Sequence, residues 1–438
     1  MAEATKPRFT LAVTGDSFIT TQVSCYSEPD FLAVFDIIKR QTMGFTNLEV
    51  LLNDYKGIPA ADSGGTYAGA PTSLAQDLKW MGFHAVSRAN NHSLDYSYEG
   101  LRITSETLDK AGICHAGVGE TLGEARSPGY METPAGRVAL LSASSTFAPW
   151  GRAGHARPDF QGRPGLSPLR FSTYYSVLPE HLAELKKIED ALGFRKAKEE
   201  AQKAGYLRPD KDGELTLAGL RFVASDKPGM HSDPNERDVQ EITKWIKDAR
   251  RQADWVFFSL HAHEAQLDRE VPAEFIIKFA RACIDAGADA FIGHGPHVLR
   301  GIEVYKGKPV FYSLGNFIFQ NDLVKKHPQD IYERAGLSLE ATPADMYDAR
   351  SKNDTVGFPA DVAYWESVLG VIDYEAGQMR RVEIYPLYLG WDRPRPQRGR
   401  PVLARGEIGK RILERMQRLS EPFGTTIRID GDRGIIEL

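Results

Sequence analysis

Two histidines three residues apart, His294 and His297, stand directly after a short apolar run at Ala290–Ile292. Such a run predicts a buried strand, and α/β hydrolases hold metal ions with imidazoles at the carboxyl end of a strand. A second apolar run, Val310–Leu314, follows and ends at Gly315–Asn316. We therefore interpret this part of the chain as one side of a metal site.

Four further polar segments follow predicted strands. They are Gly15-Asp16, Asn47-Leu48-Glu49, Asn90-Asn91-His92 and His261-Ala262-His263-Glu264. These segments offer carboxylate, amide and imidazole groups, which divalent transition metals bind. Any one of them is explained as well by a turn, a helix cap or a structural His-x-His pair. Their occurrence at successive strand ends predicts one shared metal centre.

A centre of this composition predicts hydrolysis. Two ions about 3.5–4 Å apart can hold the attacking and leaving oxygens, and they lower the pKa of bound water from about 15.7 towards about 7. The sequence contains no serine-nucleophile elbow, no P-loop and no dinucleotide-binding glycine motif. Metal-bound water is therefore the expected reagent.

Three polar residues near these segments are candidate substrate-binding residues. Arg88 and Arg300 could each bind an anion through two hydrogen bonds, or form an ion pair inside the protein. Asn316 could orient a substrate, or cap the turn after its strand. His155 and His231, in the long segment described below, could close over the site or lie in solvent.

Strand and helix patterns alternate around the polar segments, which predicts an α/β sheet whose strand ends share one edge. The predicted strands are Phe9–Val13, Gly44–Val50, His84–Ser87, Val138–Ser142, Trp255–Leu260, Ala290–Ile292 and Val310–Leu314. The predicted helices are Phe31–Arg40, Leu74–Met81, Tyr98–Ala111, Arg237–Ala253 and Pro272–Ala286.

The segment Phe147–Pro234 breaks this alternation. It is rich in Gly, Arg and Pro at first and then predicts one charged helix over roughly Glu180–Gly205. Because long insertions usually carry function, we expect a cap over the active edge. We divide the chain into a catalytic domain, 1–320, with the 147–234 insertion, and an α+β extension, 321–438, packed on the core.

The composition excludes several classes of protein. The 438 residues are 42% hydrophobic and 26% charged, with a net charge of −5 and no basic run, so neither nucleic acid nor an anionic membrane surface is an expected partner. Three cysteines without a Cys-x-x-Cys spacing predict neither a disulfide framework nor a zinc–cysteine site. With no signal-peptide pattern and no membrane segment, we expect a soluble, cytoplasmic protein; a homo-oligomer stays open.

The motifs also carry a family resemblance, which covers most of Phe9–Gln320. They are TGDSF, NLEV, RANNHSLDYSYEGL, SLHAHE and GADAFIGHGPHVLRGIEVYKGKPVFYSLGNFIF. The chain resembles the CapA family of capsule and poly-γ-glutamate synthesis proteins, a branch of the calcineurin-like metallophosphoesterases. The resemblance implies a four-layer α-β-β-α sandwich of the metallophosphoesterase type, with two divalent ions (Mn, Zn or Fe) where strand ends meet.

The resemblance also implies roles for residues. The metal ligands it implies by position are Asp16, Glu49 (in place of a bridging aspartate), Asn91, His261, His294 and His297. His92 resembles the general acid, and Phe18 stands where the superfamily usually has a histidine. Family members often read His-His-Pro-His in the last motif, and Gly295 replaces its second histidine here. His263 could supply that missing imidazole, so His261, His263 or both are candidate ligands.

The function expected is that of a dinuclear metal-dependent hydrolase of the CapA type, in which a metal-bound hydroxide attacks a γ-glutamyl-like amide bond. Alternatives are a phosphoesterase acting on a small phosphoester and a non-catalytic accessory protein of poly-γ-glutamate or capsule synthesis. A (β/α)₈ amidohydrolase would carry its His-x-His on the first strand, whereas His261 lies past the middle of the chain.

Overall fold

Strands and helices alternate through residues 7–437, the part of the chain that this computed structural model describes. The strands are β1 Phe9–Phe18, β2 Met43–Leu48, β3 Leu51–Leu52, β4 Gly69–Ala70, β5 Ala85–Ser87, β6 Cys114–Ala116, β7 Val118–Gly119, β8 Gly129–Thr133, β9 Gly136–Ser144, β10 Gly165–Leu166, β11 Phe171–Val177, β12 Glu214–Leu217, β13 Leu220–Ala224, β14 Gly229–Pro234, β15 Trp255–His261, β16 Ala290–His294, β17 Leu299–Tyr305, β18 Lys308–Leu314, β19 Asn316–Phe319, β20 Glu366–Glu375, β21 Gln378–Tyr388, β22 Val402–Leu403, β23 Arg428–Asp430 and β24 Arg433–Glu437. The helices are α1 Pro29–Lys39, α2 Leu74–Met81, α3 Ser97–Ala111, α4 Leu122–Arg126, α5 Pro179–Ala191, α6 Phe194–Lys203, α7 Glu236–Arg250, α8 Glu274–Asp285, α9 Gln329–Arg334, α10 Pro343–Ser351 and α11 Gly406–Ser420.

The first sheet has ten strands, in the order β23-β24-β21-β20-β1-β2-β5-β6, with β19 paired to β1 and β22 to β21. Strand β1 lies at its centre and is buried along nearly its whole length. It runs parallel to β2 and antiparallel to β20, and its last residues pair with β19. The carboxyl ends of β1, β2 and β5 therefore meet at one edge.

The second sheet has six strands in the order β17-β18-β16-β15-β9-β8. Its strands β9, β15, β16 and β18 run parallel, so that their carboxyl ends also share an edge. The two sheets face one another across a buried core that includes Phe9 and Phe45 from the first sheet and Phe257 and Ile292 from the second. This core excludes water between the sheets and holds them together.

Helices cover both outer faces. In α1 the buried residues Phe31, Val34 and Ile38 recur at helical spacing and pack on the first sheet together with α2. On the other side, α7 and α8 pack their apolar faces on the second sheet. The protein is therefore an α/β sandwich with the layer order α-β-β-α, which confirms the predicted fold class.

The segment after β9 differs from its prediction at one point. The single charged helix expected over Glu180–Gly205 is two helices, α5 and α6, because Gly193 between them takes the left-handed backbone conformation, with φ of +76°. The four-stranded sheet β12-β13-β11-β14 packs on α8, where the rings of Phe171 and Phe275 stack with centroids 4.3 Å apart.

The C-terminal segment supplies β20 to β24 to the first sheet, and β20 pairs with β1 itself. The amphipathic helix α11 packs Ile412, Leu413 and Met416 into the core between the sheets. The division into domains at residue 320 stays a prediction. Across residues 7–437, no helix combines the length and the apolar character needed to span a membrane.

Candidate metal centre

The strand ends of both sheets bring the predicted polar segments together. Asp16 lies near the end of β1, and Glu49 follows β2. His261 is the last residue of β15, and His297 lies just beyond β16. All four side chains are almost completely buried, so their polar atoms must be satisfied by one another or by a bound group.

Glu49 is the centre of this cluster. Its Oε1 lies 3.6 Å from Nε2 of His297 and 3.7 Å from Nε2 of His261. Nε2 of His261 and Nε2 of His263 are 2.9 Å apart. One ligand atom from each of Glu49, His263 and His297 lies within 4.8 Å of the others, a spacing at which one metal ion could contact all three.

The polar atoms of this cluster fit a cation. Both oxygens of Glu49 and Oδ1 of Asn91 are buried without a hydrogen-bond partner. A buried carboxylate with no donor is costly, and a positive ion removes that cost. Carboxylate and amide oxygens beside neutral imidazoles are donors suited to Mn, Fe or Zn.

Titration behaviour agrees with this fit. Burial, with repulsion from Asp16 and Asp95, raises the pKa of Glu49 well above its usual value. Burial and the neighbouring imidazoles lower the pKa values of His261 and His263 well below the usual value. The histidines are thus held neutral at physiological pH, and neutral imidazole is the form that binds metal.

Asp16 lies beside this cluster and is held by two hydrogen bonds. Its Oδ1 accepts from Nδ2 of Asn47 (2.8 Å) and its Oδ2 from the backbone N–H of Gly295 (3.0 Å). Oδ2 also lies 3.7 Å from Nδ1 of His297. Nδ2 of Asn47 further lies 3.1 Å from Nδ1 of His261, so one amide orients both a carboxylate and an imidazole. Sequence reasoning gave Asn47 no role, and its place two residues before Glu49 was the available signal.

His294 lies outside the group formed by Glu49, His263 and His297, and the prediction that it is a metal ligand stays a prediction. Its Nε2 donates to the carbonyl of Thr14 (3.0 Å), and its Nδ1 therefore accepts from the hydroxyl of Ser259 (3.2 Å). Both ring nitrogens are used, and the ring packs against Phe45. His294 joins the two sheets, because Thr14 belongs to the first and Ser259 to the second.

His263 instead occupies the space beside Gly295. The φ of Gly295 is +112°, and a Cβ there would lie 2.9 Å from both Cδ2 of His263 and the backbone N of Ala262. The backbone N–H of His263 donates to Oγ1 of Thr146 (2.9 Å), which fixes the strand extension that carries it. The structure therefore brings His263 to the site at the position where Gly295 leaves room.

His297 is oriented by Asn316. Nδ2 of Asn316 donates to the carbonyl of Tyr364 (2.9 Å), so its Oδ1 accepts from Nδ1 of His297 (2.9 Å). This bond places the ring proton on Nδ1 and leaves the lone pair of Nε2 directed at Glu49. A metal-binding histidine is commonly held in this way by a hydrogen bond to its other nitrogen. Asn316 thus positions a candidate ligand, and its predicted role in binding substrate stays a prediction.

His92 forms a pair with Asp95. Nδ1 of His92 lies 2.7 Å from Oδ2 of Asp95, which also accepts from the backbone N–H of Ala68 (2.8 Å). Phe18 packs edge-on against the His92 ring, with centroids 5.5 Å apart. A carboxylate in this place accepts a hydrogen bond from Nδ1 and fixes the orientation of the ring. Asp95 was missed in the sequence, although it stands three residues after His92.

The two candidate arginines lie elsewhere. Arg88 is buried, and its guanidinium donates to Ser105 (2.7 Å) and to the carbonyl of Leu101 (3.3 Å), both on α3. Arg300 donates to the backbone carbonyls of Arg269 (3.0 Å) and His263 (3.2 Å). Neither arginine lines either of the two cavities described below, and each guanidinium donates to the protein's own polar groups.

Two cavities open on the centre and share Gly64 and His263. The first, of 310 Å³, is named the Asn91 cavity and is lined by Asp62, Ser63, Gly64, Asn91, Leu94, Asp95, residues 146–151, Leu166 and His263. The second, of 280 Å³, is named the His92 cavity and is lined by Phe18, residues 64–66, His92, His263, Arg269, Pro296, His297, Phe319, Asn321, Arg350, Phe358 and Tyr364. The beginning of the predicted cap thus lines one cavity. His155 and His231 lie outside both cavities, where their ring nitrogens contact the carboxylates of Glu241 (3.3 Å) and Glu274 (3.0 Å).

The fold and the site define the class: an α/β sandwich with a buried cluster of carboxylate, amide and imidazole donors at its strand ends. Residues 10–321 match the family described as bacterial capsule synthesis protein PGA_cap. The chain belongs to this family, and the resemblance to CapA proteins is confirmed.

Individual relatives agree with this membership. The chain is 38% identical to the Sinorhizobium fredii protein y4sH over 98% of this chain and 93% of that protein. It is 26% identical to a capsule biosynthesis protein CapA of Bacillus anthracis, over 69% of this chain and 59% of the relative. A Mycobacterium tuberculosis protein described as a probable polyglutamine synthesis accessory protein is 26% identical over 59% of this chain and 51% of its own. One solved Staphylococcus aureus chain aligns with 69% of this chain and 48% of its own, at 15% identity and a TM-score of 0.34.

Proposed function

We propose that this protein is a metal-dependent hydrolase that cleaves an amide bond of the γ-glutamyl type. The observation that carries the proposal is the pair of buried, unpartnered oxygens of Glu49, which lie beside the imidazoles of His261 and His297. The substrate class is supported by the descriptions of the relatives, which refer to capsule and polyglutamine synthesis.

Glu49, His263 and His297 are the residues that would hold a first ion. Asp16 lies beside His297 and His261, and Asn91, which lines one cavity together with His263, has a buried oxygen without a partner; these two residues could offer oxygens for a second ion. When bound, such ions would polarise the oxygen of the bond to be cleaved and lower the pKa of a water molecule. The mixed oxygen and nitrogen donors suit Mn, Fe or Zn.

The chain's own acid is His92. With Nδ1 held by Asp95, its Nε2 is the nitrogen that would donate a proton to a leaving amine in the His92 cavity. Asn316 keeps the ring of His297 in place, and Arg300 holds the backbone that carries His263. Phe18 and Phe319 line the same cavity and limit access of water to the leaving group.

Two measurements on one preparation test this proposal: the metal content of the purified protein, and a substrate screen of γ-glutamyl amides, phosphomonoesters and phosphodiesters. We expect bound ions and a chelator-sensitive hydrolysis of γ-glutamyl amides that the His92→Ala variant loses. If the protein hydrolyses only phosphoesters, the substrate class is a phosphoester and the proposed amide substrate is wrong. Chelator-resistant activity in metal-free protein would contradict the proposal.

A second proposal is a non-catalytic accessory role in capsule or poly-γ-glutamate synthesis, which the description of the Mycobacterium tuberculosis relative favours. The two proposals differ in what His92 must do. Full complementation of a polymer-synthesis defect by the His92→Ala variant would support the accessory role. Loss of complementation by a folded His92→Ala protein with unchanged metal content would support the hydrolase.

A further inference from the structure

The two cavities beside the centre differ in charge. The Asn91 cavity is lined by the carboxylates of Asp62 and Asp95 and has no lysine or arginine in its lining. The His92 cavity has the opposite composition, since Arg269 and Arg350 line it without any carboxylate. A substrate whose two halves differ in net negative charge would therefore bind in one direction.

Arg269 is already neutralised. Its guanidinium donates to Oδ2 of Asp361 (2.6 Å) and to the hydroxyl of Tyr364 (3.2 Å), and it also lies over the Tyr364 ring. Such a paired guanidinium has little remaining attraction for an anion. The positive charge available to a ligand in the His92 cavity must come from the second arginine.

Arg350 supplies that charge. It lies exposed in the last turn of α10, and its Nη1 donates to Oγ1 of Thr66 (2.6 Å). Across residues 7–437, no carboxylate lies within ion-pair distance of its guanidinium. Its uncompensated charge also acts on its surroundings, because burial and Arg350 together lower the pKa of His327 to about 4.

The contact with Thr66 fixes Arg350 relative to the centre. Thr66 is buried and belongs to the short loop in which the carbonyl of Gly64 accepts from Nδ2 of Asn91 (3.2 Å). Arg350 and Asn91 are thus attached to the same loop, on opposite sides of the shared wall of the two cavities. One Nη1–H is used, and the remaining N–H groups are available for a carboxylate, which arginine binds through two parallel hydrogen bonds.

We propose that Arg350 binds a carboxylate on the leaving-group side of the substrate and thereby determines specificity. The leaving group, which has a net negative charge, lies in the His92 cavity next to the proton donor. A terminal γ-glutamyl acyl group, whose α-ammonium group offsets its α-carboxylate, lies in the Asn91 cavity. This inference rests on the proposed function, because it assigns the two halves of an amide substrate to the two sides of the same centre.

Binding of the leaving group tests this inference without turnover. The probe is L-glutamate, and the control compound is L-glutamine amide, in which amides replace both carboxylates of glutamate. Each is titrated into the metal-loaded protein and its binding is measured by calorimetry. The variants are Arg350→Gln, Arg350→Lys and, as a matched exposed arginine on another helix, Arg195→Gln. We expect Arg350→Gln to weaken binding of L-glutamate about tenfold or more, Arg350→Lys to weaken it less, and Arg195→Gln to leave it unchanged.

The inference is overturned if wild-type protein does not bind L-glutamate, if Arg350→Gln binds it as tightly as wild type, or if L-glutamine amide binds equally well. If Arg350→Gln binds L-glutamate as tightly as wild type, the carboxylate of L-glutamate is held by the metal and not by Arg350. The proposed function fails separately: metal-loaded protein that hydrolyses no γ-glutamyl amide, yet shows the Arg350 dependence, would retain the carboxylate site and lose the hydrolase.

Discussion

The imidazole of His263 lies where a side chain at position 295 would stand: a Cβ on Gly295 would come 2.9 Å from Cδ2 of the ring. The two positions therefore cannot both carry a full side chain in this backbone. The histidine at position 263 fits only because position 295 is a glycine. The relationship explains why the last motif can lack its middle histidine and the cluster still contain three imidazoles around Glu49.

Gly295→Ala is expected to disturb the centre. At a φ of +112° a non-glycine residue is strained by roughly 1–2 kcal/mol, and the added Cβ pushes His263 away from Glu49. Gly287→Ala is the control, because its φ of +114° is similar and the three atoms nearest to its Cβ would all belong to the side chain of Arg250, at 3.3 Å or more. Both variants should unfold at lower temperature, but only Gly295→Ala should lose metal, as measured by elemental analysis. Full metal content in folded Gly295→Ala protein would contradict the assignment of His263.

His297→Ala and His294→Ala should have opposite effects on metal and stability. His297 directs its free Nε2 at Glu49, so its removal should lower the metal content by at least one ion per chain. His294 uses both nitrogens on Thr14 and Ser259, so its removal should cost about 1–3 kcal/mol of unfolding free energy while the ions remain. Elemental analysis and denaturant unfolding measure the two quantities. If His294→Ala loses as much metal as His297→Ala, both histidines of the last motif are metal ligands.

Glu49→Gln should change how the stability of the metal-free protein depends on pH. Burial raises the pKa of Glu49 above its usual value of 4.5, so the folded protein binds this proton more tightly than the unfolded chain. The resulting stability is present below about pH 4.5 and is lost as the pH rises towards the folded-state pKa. We therefore expect chelated wild-type protein to lose more stability between pH 5 and about pH 8 than chelated Glu49→Gln protein.

The comparison of these two proteins at each pH isolates Glu49. The lowered pKa values of His261 and His263 act in the other direction, costing stability as the pH falls below 6.5, but they are present in both proteins. Thermal unfolding in the presence of chelator measures the difference. Parallel stability curves for the two proteins would show that the Glu49 carboxylate is not destabilising without metal. Added metal should raise the unfolding temperature of wild type only.

His92→Ala should lower kcat about 10²- to 10⁴-fold without changing the metal content, since removal of a general acid has effects of this size. The loss should be smaller for γ-glutamyl-p-nitroanilide, whose leaving group needs less protonation, than for γ-glutamyl-glutamate. Asp95→Asn should lower kcat by a smaller factor, again more for γ-glutamyl-glutamate than for γ-glutamyl-p-nitroanilide, because it leaves His92 in place without the carboxylate that orients it. An equal loss on both substrates would argue that His92 binds the substrate rather than protonating it.

The sequence predicted the elements well because their patterns are local. Helix α2 begins and ends at the predicted residues, and β15 differs from its prediction by the single residue His261. Polar residues directly after buried strands identified the segments that meet at the edge of the sandwich. The division of the charged helix at Gly193 was also available from a local signal, since glycine commonly ends a helix.

Side-chain direction within the site could not be predicted in the same way. His294 is the last residue of β16 and His297 follows three residues later, yet one bonds to the carbonyl of Thr14 in the first sheet and the other lies beside Glu49. Arg88 lies three residues before Asn91, but its side chain turns to α3. Arg350 comes from the C-terminal segment, and nothing near it in the sequence resembles a site. Each outcome depends on contacts between residues far apart in the chain.

The two sheets contribute different donors to the centre: Asp16 and Glu49 come from the first, and His263 and His297 from the second. No short piece of the nascent chain therefore contains a complete site, and the donors meet only after the slow, long-range pairing of the sandwich. We expect ion uptake to be the final step of folding, in which the metal binds to the assembled sandwich and stabilises it. In refolding experiments, added metal should then slow unfolding and leave the folding rate unchanged.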